Sequence, residues 1–292
     1  ALLLNTTGSD NTAIGWEAMQ NNVSGFDNTA VGKYALILNN SGAYNTALGV
    51  RSLYNNTAHY NTATGYKALY SNTTGANNTA NGYQALYSNT TGTQNTAFGT
   101  WGLLSNTTGS YSTAIGYQAL YSNTTASFNT ANGHNALYSN TTGALLTAVG
   151  YEALYNNTGN YNIAFGGQAG KGITTGTENC AIGRASMRNG VVTGSSNTSV
   201  GNFALYNLSS GASNVAVGNS ALFSNTTASG TTAVGAIALY ANTTGDSNTA
   251  VGDSALTTNT TGNYNTAVGE RAMQYNTTGA SNTAMGKRAL RQ

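Results

Sequence analysis

The residues of this chain with the clearest capacity for chemistry are asparagines followed two positions later by a hydroxyl. Ten stand in Asn-Thr-Thr: Asn5, Asn72, Asn89, Asn106, Asn123, Asn140, Asn225, Asn242, Asn259 and Asn276. Five more keep the outer pair while the middle residue changes, at Asn22-Val23-Ser24, Asn39-Asn40-Ser41, Asn55-Asn56-Thr57, Asn156-Asn157-Thr158 and Asn207-Leu208-Ser209. N-glycosylation needs that spacing, and its acceptors would carry a ridge of N-linked glycans. Asn followed by Thr and Gly, as in Asn72-Thr73-Thr74-Gly75, is also good turn chemistry without any sugar. Both readings stand on the sequence.

Other reactive groups are sparse and irregular. The carboxylates Asp10, Glu17, Asp27, Glu152, Glu178, Asp246, Asp253 and Glu270 and the histidines His59 and His134 do not recur at fixed separations. No repeating pair could share acid and base roles or gather a metal, and the Asp-rich glycine repeats that bind calcium are missing. An enzyme is not expected, and neither is a cofactor other than a glycan. Gly166-Gly167-Gln168-Ala169-Gly170-Lys171-Gly172 has the glycines and lysine of a phosphate loop but not its Gly-Lys-Ser/Thr ending. Lys33, Lys287 and Arg288 read as solvated. The lone Cys180 falls in a column that elsewhere holds Thr12, Thr29, Thr46, Ile163 and Val215, which implies a half-buried packing role.

These residues are positioned by a repeat. A unit close to Asn-Thr-Ala-Val-Gly recurs seventeen times, with its alanine from Ala13 to Ala284 and Ser199 standing in once; the spacing is 17 residues thirteen times, 16 twice and 18 once. Such a period marks a solenoid, in which each coil folds only against its neighbours. With Asn11 in the first place, the consensus is Asn-Thr-Ala-Val/Ile-Gly-x-x-Ala-Leu-Tyr-x-Asn-Thr-Thr-Gly-x-x. The fold expected is all-β, a parallel β-solenoid (β-roll or β-helix) of about seventeen coils over residues 1–292, with one irregular segment at 166–194 that reads as a kink or a docking site.

Within a coil, the β-branched second and fourth places (Thr12/Ile14, Thr29/Val31, Thr266/Val268) suggest a short strand burying that face. The glycine of the fifth place, as at Gly15 and Gly286, suggests a corner. The ninth place is Leu or Met in sixteen coils, with Gly170 the exception, and should face the core. The stretch through Tyr83-Gln84-Ala85-Leu86-Tyr87 reads as a second strand or one helical turn. Tyrosines in the tenth place (Tyr54, Tyr70, Tyr87) would stack along one side. The third-place alanine never becomes large, which suggests a neighbouring backbone and lateral self-association, as a homotrimer. The chain begins and ends in the same phase without polar caps, so coils could also join end to end.

Composition narrows the partners. Charged residues are 6% of the chain and the net charge is +2, so no basic stripe exists to hold nucleic acid. No apolar run approaches the roughly 20 residues of a membrane span, and one cysteine cannot build a disulfide framework. Thirty-seven glycines without proline could suggest disorder, but the apolar places are too regular for that.

The run Asn-Thr-Ala-Val-Gly-x-x-Ala resembles the head repeats of trimeric autotransporter adhesins, the YadA-like left-handed parallel β-roll, and is similar to repeats of phage and large-virus fibres. The resemblance covers nearly the whole chain and implies a trimeric, extracellular or virion-surface adhesive rod. By that analogy Thr113 and Ile115 point into the roll and Gly116 turns the corner. The unit here is about three residues longer, at Leu-Tyr-Ser-Asn-Thr. A structural fibre or adhesin shaft is the expected function. The alternatives are a fibre that recognises a surface glycan or receptor through its tyrosines and, with the threonine column taken to look inward, less readily an ice-binding solenoid.

Overall fold

The computed structural model describes residues 1–291. Those residues contain strands and turns and no helix. Contacts divide the chain into two compact units, Ala1–Leu145 and Leu146–Gln292. The first carries strands β1 (Thr12–Ile14) to β8 (Thr130–Asn132), and the second carries β9 (Thr147–Val149) to β17 (Thr283–Met285). Within each unit every strand has three residues and pairs in parallel with the same three places of its neighbour in the next coil, as in Thr12↔Thr29, Ala13↔Ala30 and Ile14↔Val31. The β-solenoid expected from the period is therefore the fold found. Coils of 16 and 18 residues keep this register, as in Thr46↔Thr62 and Cys180↔Thr198, so their length differences are absorbed outside the strand.

The phase of the strand is opposite to the expectation. Ala30, Ala97 and Ala114 are fully buried, whereas Ile115 is 41% exposed and Thr113 is half-buried. The inward set is the first and third places, Asn and Ala, and the outward set is Thr and Val, with the fifth-place glycine half-buried at the corner in most coils. The cross-section of the coil explains this. The third place faces the eighth across the interior: a Cβ on Gly102 would lie 3.5 Å from the Ala97 Cβ and 3.8 Å from the Ala114 carbonyl oxygen. Only methyl-sized groups fit between the two walls, so the branched side chains lie outside. Small alanine in the third place thus has an explanation within the chain and gives no reason to invoke a second one.

The Leu and Met of the ninth place, including Met19, Leu36, Leu86 and Met187, are buried as expected, except Leu290 in the last coil, which is 61% exposed. The backbone that brings them there is neither a second strand nor a helical turn. Residues of the seventh, ninth and seventeenth places adopt left-handed backbone, as at Gln84 (φ 54°), Leu86 (φ 52°) and Gln94 (φ 56°). Each such non-glycine residue costs about 1–2 kcal/mol, and it persists where the surroundings over-determine it. Here the neighbouring coils do so. Gln84 N donates to Tyr66 O of the preceding coil at 3.0 Å, while Leu86 N and Ser88 N donate to Gly102 O and Leu104 O of the following coil at 3.0 and 3.1 Å.

The fifth-place glycines have φ between 116° and 148°, the corner expected. A Cβ on Gly15 would lie 2.8 Å from the Gly32 carbonyl carbon. Stacked corners leave no room for a side chain.

The irregular segment stays within the stack. Ile173 and Val192 pair in a parallel bridge and are fully buried, Ile173 in the twelfth place and Val192 two residues past it in its 18-residue coil, and Leu208 is buried in the twelfth place of the next coil. Gly170 has the left-handed φ of its column, 62°, but no side chain. Ile173 fills that space.

Candidate asparagine and threonine sites

Where the twelfth place is asparagine, its side chain points inward along the stack. Ten of the fifteen glycosylation candidates, Asn22, Asn39, Asn72, Asn89, Asn106, Asn123, Asn140, Asn225, Asn242 and Asn259, have no exposed surface. Their amides form a ladder. Asn22 Nδ2 donates to Asn5 Oδ1 of the preceding coil at 2.8 Å and to Gly25 O at 3.0 Å; Asn89 Nδ2 does the same toward Asn72 Oδ1 and Gly92 O at 2.8 and 3.0 Å. Nδ2 is the atom a glycan would occupy, and in eight of the ten both of its hydrogens are used within the stack; Asn225 and Asn242 donate one each, to Ala228 O at 3.2 Å and Gly245 O at 3.0 Å. In the folded chain these ten are core residues, where the sequence suggested an outward ridge. Asn5 and Asn276 sit half-buried on the same ladder, with Asn276 Nδ2 donating to Asn259 Oδ1 and Gly279 O.

The other three candidates occupy the eleventh place and face outward. Asn156 is exposed, and Asn55 and Asn207 are half-buried. Their partner hydroxyls lie in the thirteenth place and bind the next coil: Thr57 Oγ1 donates to Thr73 O at 3.0 Å, Thr158 Oγ1 to Thr174 O at 3.2 Å and Ser209 Oγ to Thr226 O at 3.0 Å. A hydroxyl there is needed for stacking whether or not sugar is attached. Nothing in the structure explains the retained hydroxyls of Ser24 and Ser41.

A second ladder runs along the first place, which the sequence did not signal as interior. Asn28 N and Nδ2 both donate to Asn11 Oδ1, at 3.0 and 3.1 Å, and Nδ2 also reaches across to Gly42 O at 2.8 Å. Asn39 Nδ2 meets that same carbonyl from the other side at 2.9 Å. The two ladders therefore converge on one backbone oxygen per coil. A buried amide without partners would cost on the order of 1–3 kcal/mol, so asparagine is admitted to this core because an identical residue lies one rung away.

The tenth-place aromatics stack as expected. Tyr70 and Tyr87 are 5.3 Å apart at 7°, and Phe223 and Tyr240 are 5.0 Å apart at 8°. Their faces cover one another along the column, while Tyr275, one place further on in its coil, is 53% exposed. The scattered charges are used locally. Lys171 Nζ donates to Glu152 Oε2 at 2.6 Å, Gln168 Nε2 donates to the same oxygen at 2.9 Å and Tyr151 OH donates to Oε1 at 3.0 Å. Burial raises the Glu152 pKa, but these hydrogen bonds outweigh it and hold the carboxyl below its usual range. Arg188 Nη1 donates to Tyr206 OH at 3.0 Å, and Arg184 lies 5.1 Å over the Phe203 ring. Lys33 sits 4.9 Å over Tyr34 and Lys287 pairs with Glu270 at 2.9 Å, so neither is merely solvated. Among the described residues no three His, Cys, Asp or Glu side chains gather as metal ligands, and no helix is long and apolar enough to cross a membrane.

The outward strand face is what remains. Its second place is Thr in fourteen of seventeen strands and its fourth place is apolar in fourteen, so each unit presents parallel columns of hydroxyls and branched methyls with no charge. Cys180 sits half-buried in the first of these columns, where burial raises its pKa. Scanned against known protein families and against curated proteins, the sequence matches none.

Proposed function

We propose that this chain is a structural element, a length of shaft or spacer in an extracellular or surface fibre. The observation that carries the reading is the in-register pairing of like places from coil to coil, maintained through coils of 16, 17 and 18 residues. A stack of this kind gains length by adding coils and asks nothing of the individual coil except that it fit its neighbours. The motif resemblance to adhesin and fibre repeats agrees with surface display. Self-association, laterally or end to end, belongs to the same proposal and now rests on that resemblance rather than on the alanine column.

The experiment is a deletion of two whole coils, residues 214–247, which joins Ser213 to Asn248 in phase. The shortened protein should fold with an unchanged circular dichroism spectrum per residue and a smaller maximum dimension in X-ray scattering. Loss of folding would show that coils are not interchangeable and would remove the reading. Sedimentation velocity on both proteins reports the assembly state.

A further inference from the structure

We propose that the outward face of strands β12 (Thr198–Val200) to β16 (Thr266–Val268) is an ice-binding surface, a role separate from the structural one and testable without it. In these five consecutive strands the fourth place is always valine, and the second is Thr198, Val215, Thr232, Thr249 and Thr266. All ten side chains are solvent-accessible, and the residue between each pair is fully buried, so the columns stand on a packed floor. Pairing is in register throughout.

The hydroxyls separate this face from the other threonine columns. In the thirteenth place, Thr226 Oγ1, Thr243 Oγ1 and Thr260 Oγ1 donate to carbonyls of the next coil at 3.2, 3.1 and 3.0 Å. No protein partner engages the side-chain hydroxyls of Thr198, Thr232, Thr249 or Thr266. They are open donors and acceptors, about 4.8 Å from rung to rung between Thr232 and Thr266, with Val215 interrupting the column after Thr198, and about 6.6 Å across a strand from the valine methyls. Branching at Cβ fixes their χ1, so little freedom is lost on binding. On a repeating net of that kind the methyls can sit in hollows of an ice lattice while the hydroxyls join its hydrogen-bonded layer.

Charge and area select this occupant over others. The face carries no charge, which suits a neutral lattice of water and offers nothing to an ionic partner. A second copy is poorly served: nine rungs of three residues give the whole sheet of this unit a face of roughly 430 Å², about half of the ~800 Å² per partner that a stable complex buries. Ice needs only a repeating contact.

The test uses the full chain in an ice-affinity partition with a fluorescently labelled sample, alongside a recrystallisation assay and sedimentation velocity. The wild type should enter growing ice and slow recrystallisation. Thr249→Lys and Thr249→Tyr, chemically different insertions on the face, should each abolish both effects while melting cooperatively, and Thr227→Lys on a neighbouring turn should retain them. Exclusion of the wild type from ice overturns the proposal. So does retention of ice affinity in folded Thr249→Lys or Thr249→Tyr, and so does a wild-type dimer that the face variants convert to monomer, which would make the surface a contact between copies.

Discussion

The hydroxyl oxygens of Ser186 and Ser199 lie 2.6 Å apart, fully buried, where most coils place two alanines. Ser186 is in the eighth place and Ser199 in the third, so the pair joins the two walls of the interior. Ser199 Oγ donates onward to Ala204 O at 3.0 Å, which makes Ser186 the donor to Ser199. Removing Ser199 strands the Ser186 hydroxyl, although Ser52 in the same column shows an escape, donating to Gly49 O at 2.9 Å. Ser199→Ala should therefore cost about 1 kcal/mol, the low end for an orphaned buried group. Restoring alanine at both positions should be close to neutral. Urea unfolding of the two single variants and the double variant measures the coupling, and additive losses would show that the serines do not act as a pair.

The asparagine ladder makes an opposite pair of predictions for residues of one type. Asn89→Ala takes the donor from Asn72 Oδ1 and the acceptor from one Nδ2 hydrogen of Asn106, while Gly92 O keeps Asn78 Nδ2 at 2.9 Å; at about 1–3 kcal/mol for each orphaned group a loss of roughly 2–4 kcal/mol is expected. Asn156→Ala, at the exposed eleventh place, should stay within about 0.5 kcal/mol. Glycosylation divides the same way. In a secretory host that attaches N-glycans, peptide mapping of the fifteen turn asparagines should find sugar at Asn156, with Asn55 and Asn207 as further outward acceptors, and none at the ten buried asparagines of folded protein. Sugar on Asn89 in cooperatively folded material would overturn the ladder.

The repeat, the strand positions, the inward leucine and the glycine corner were all legible in the sequence, because each is a local pattern that recurs. The phase was not. Five residues alternating with period two can bury Thr and Val or bury Asn and Ala, and apolar side chains ordinarily lie inside. What reverses the choice is the amide ladder, whose partners are 17 residues away and invisible within one repeat. The left-handed leucines are hidden for a similar reason: Leu86 has no intrinsic preference for φ 52°, and hydrogen bonds between coils impose it. The free hydroxyls of the outward face follow from the phase, so reading Thr as inward also removed the ground for ice binding.

Glu152 supplies a pH dependence. Its carboxyl accepts from Lys171, Gln168 and Tyr151, and these bonds hold its pKa below the ordinary value despite partial burial. A depressed carboxyl stabilises the fold above its unfolded pKa, about 4.3, and that contribution fades as pH falls through the folded value. Between pH 6 and pH 3 the wild type should lose more stability than Glu152→Gln, which does not titrate at that position. Equal losses on acidification would mean that the cluster contributes nothing to folding.

The segment at 166–194 can be tested as a core exchange rather than a kink. A Cβ on Gly170 would lie 2.8 Å from Leu154 Cδ2 and 3.2 Å from Ile173 Cδ1, so the space that leucine fills in other coils is already occupied. Ile173→Ala should open a cavity at a cost of about 2–5 kcal/mol, and Gly170→Leu alone should overpack the site by about 1–3 kcal/mol. Combined, the two changes relieve each other, since the leucine enters the volume that the isoleucine vacates and the left-handed φ of 62° at Gly170 is one that Leu154 and Leu205 already adopt at 50° and 49°. The double variant should be more stable than Ile173→Ala. If thermal melts instead place it below both single variants, Gly170 is required for its backbone and Ile173 merely lies beside it.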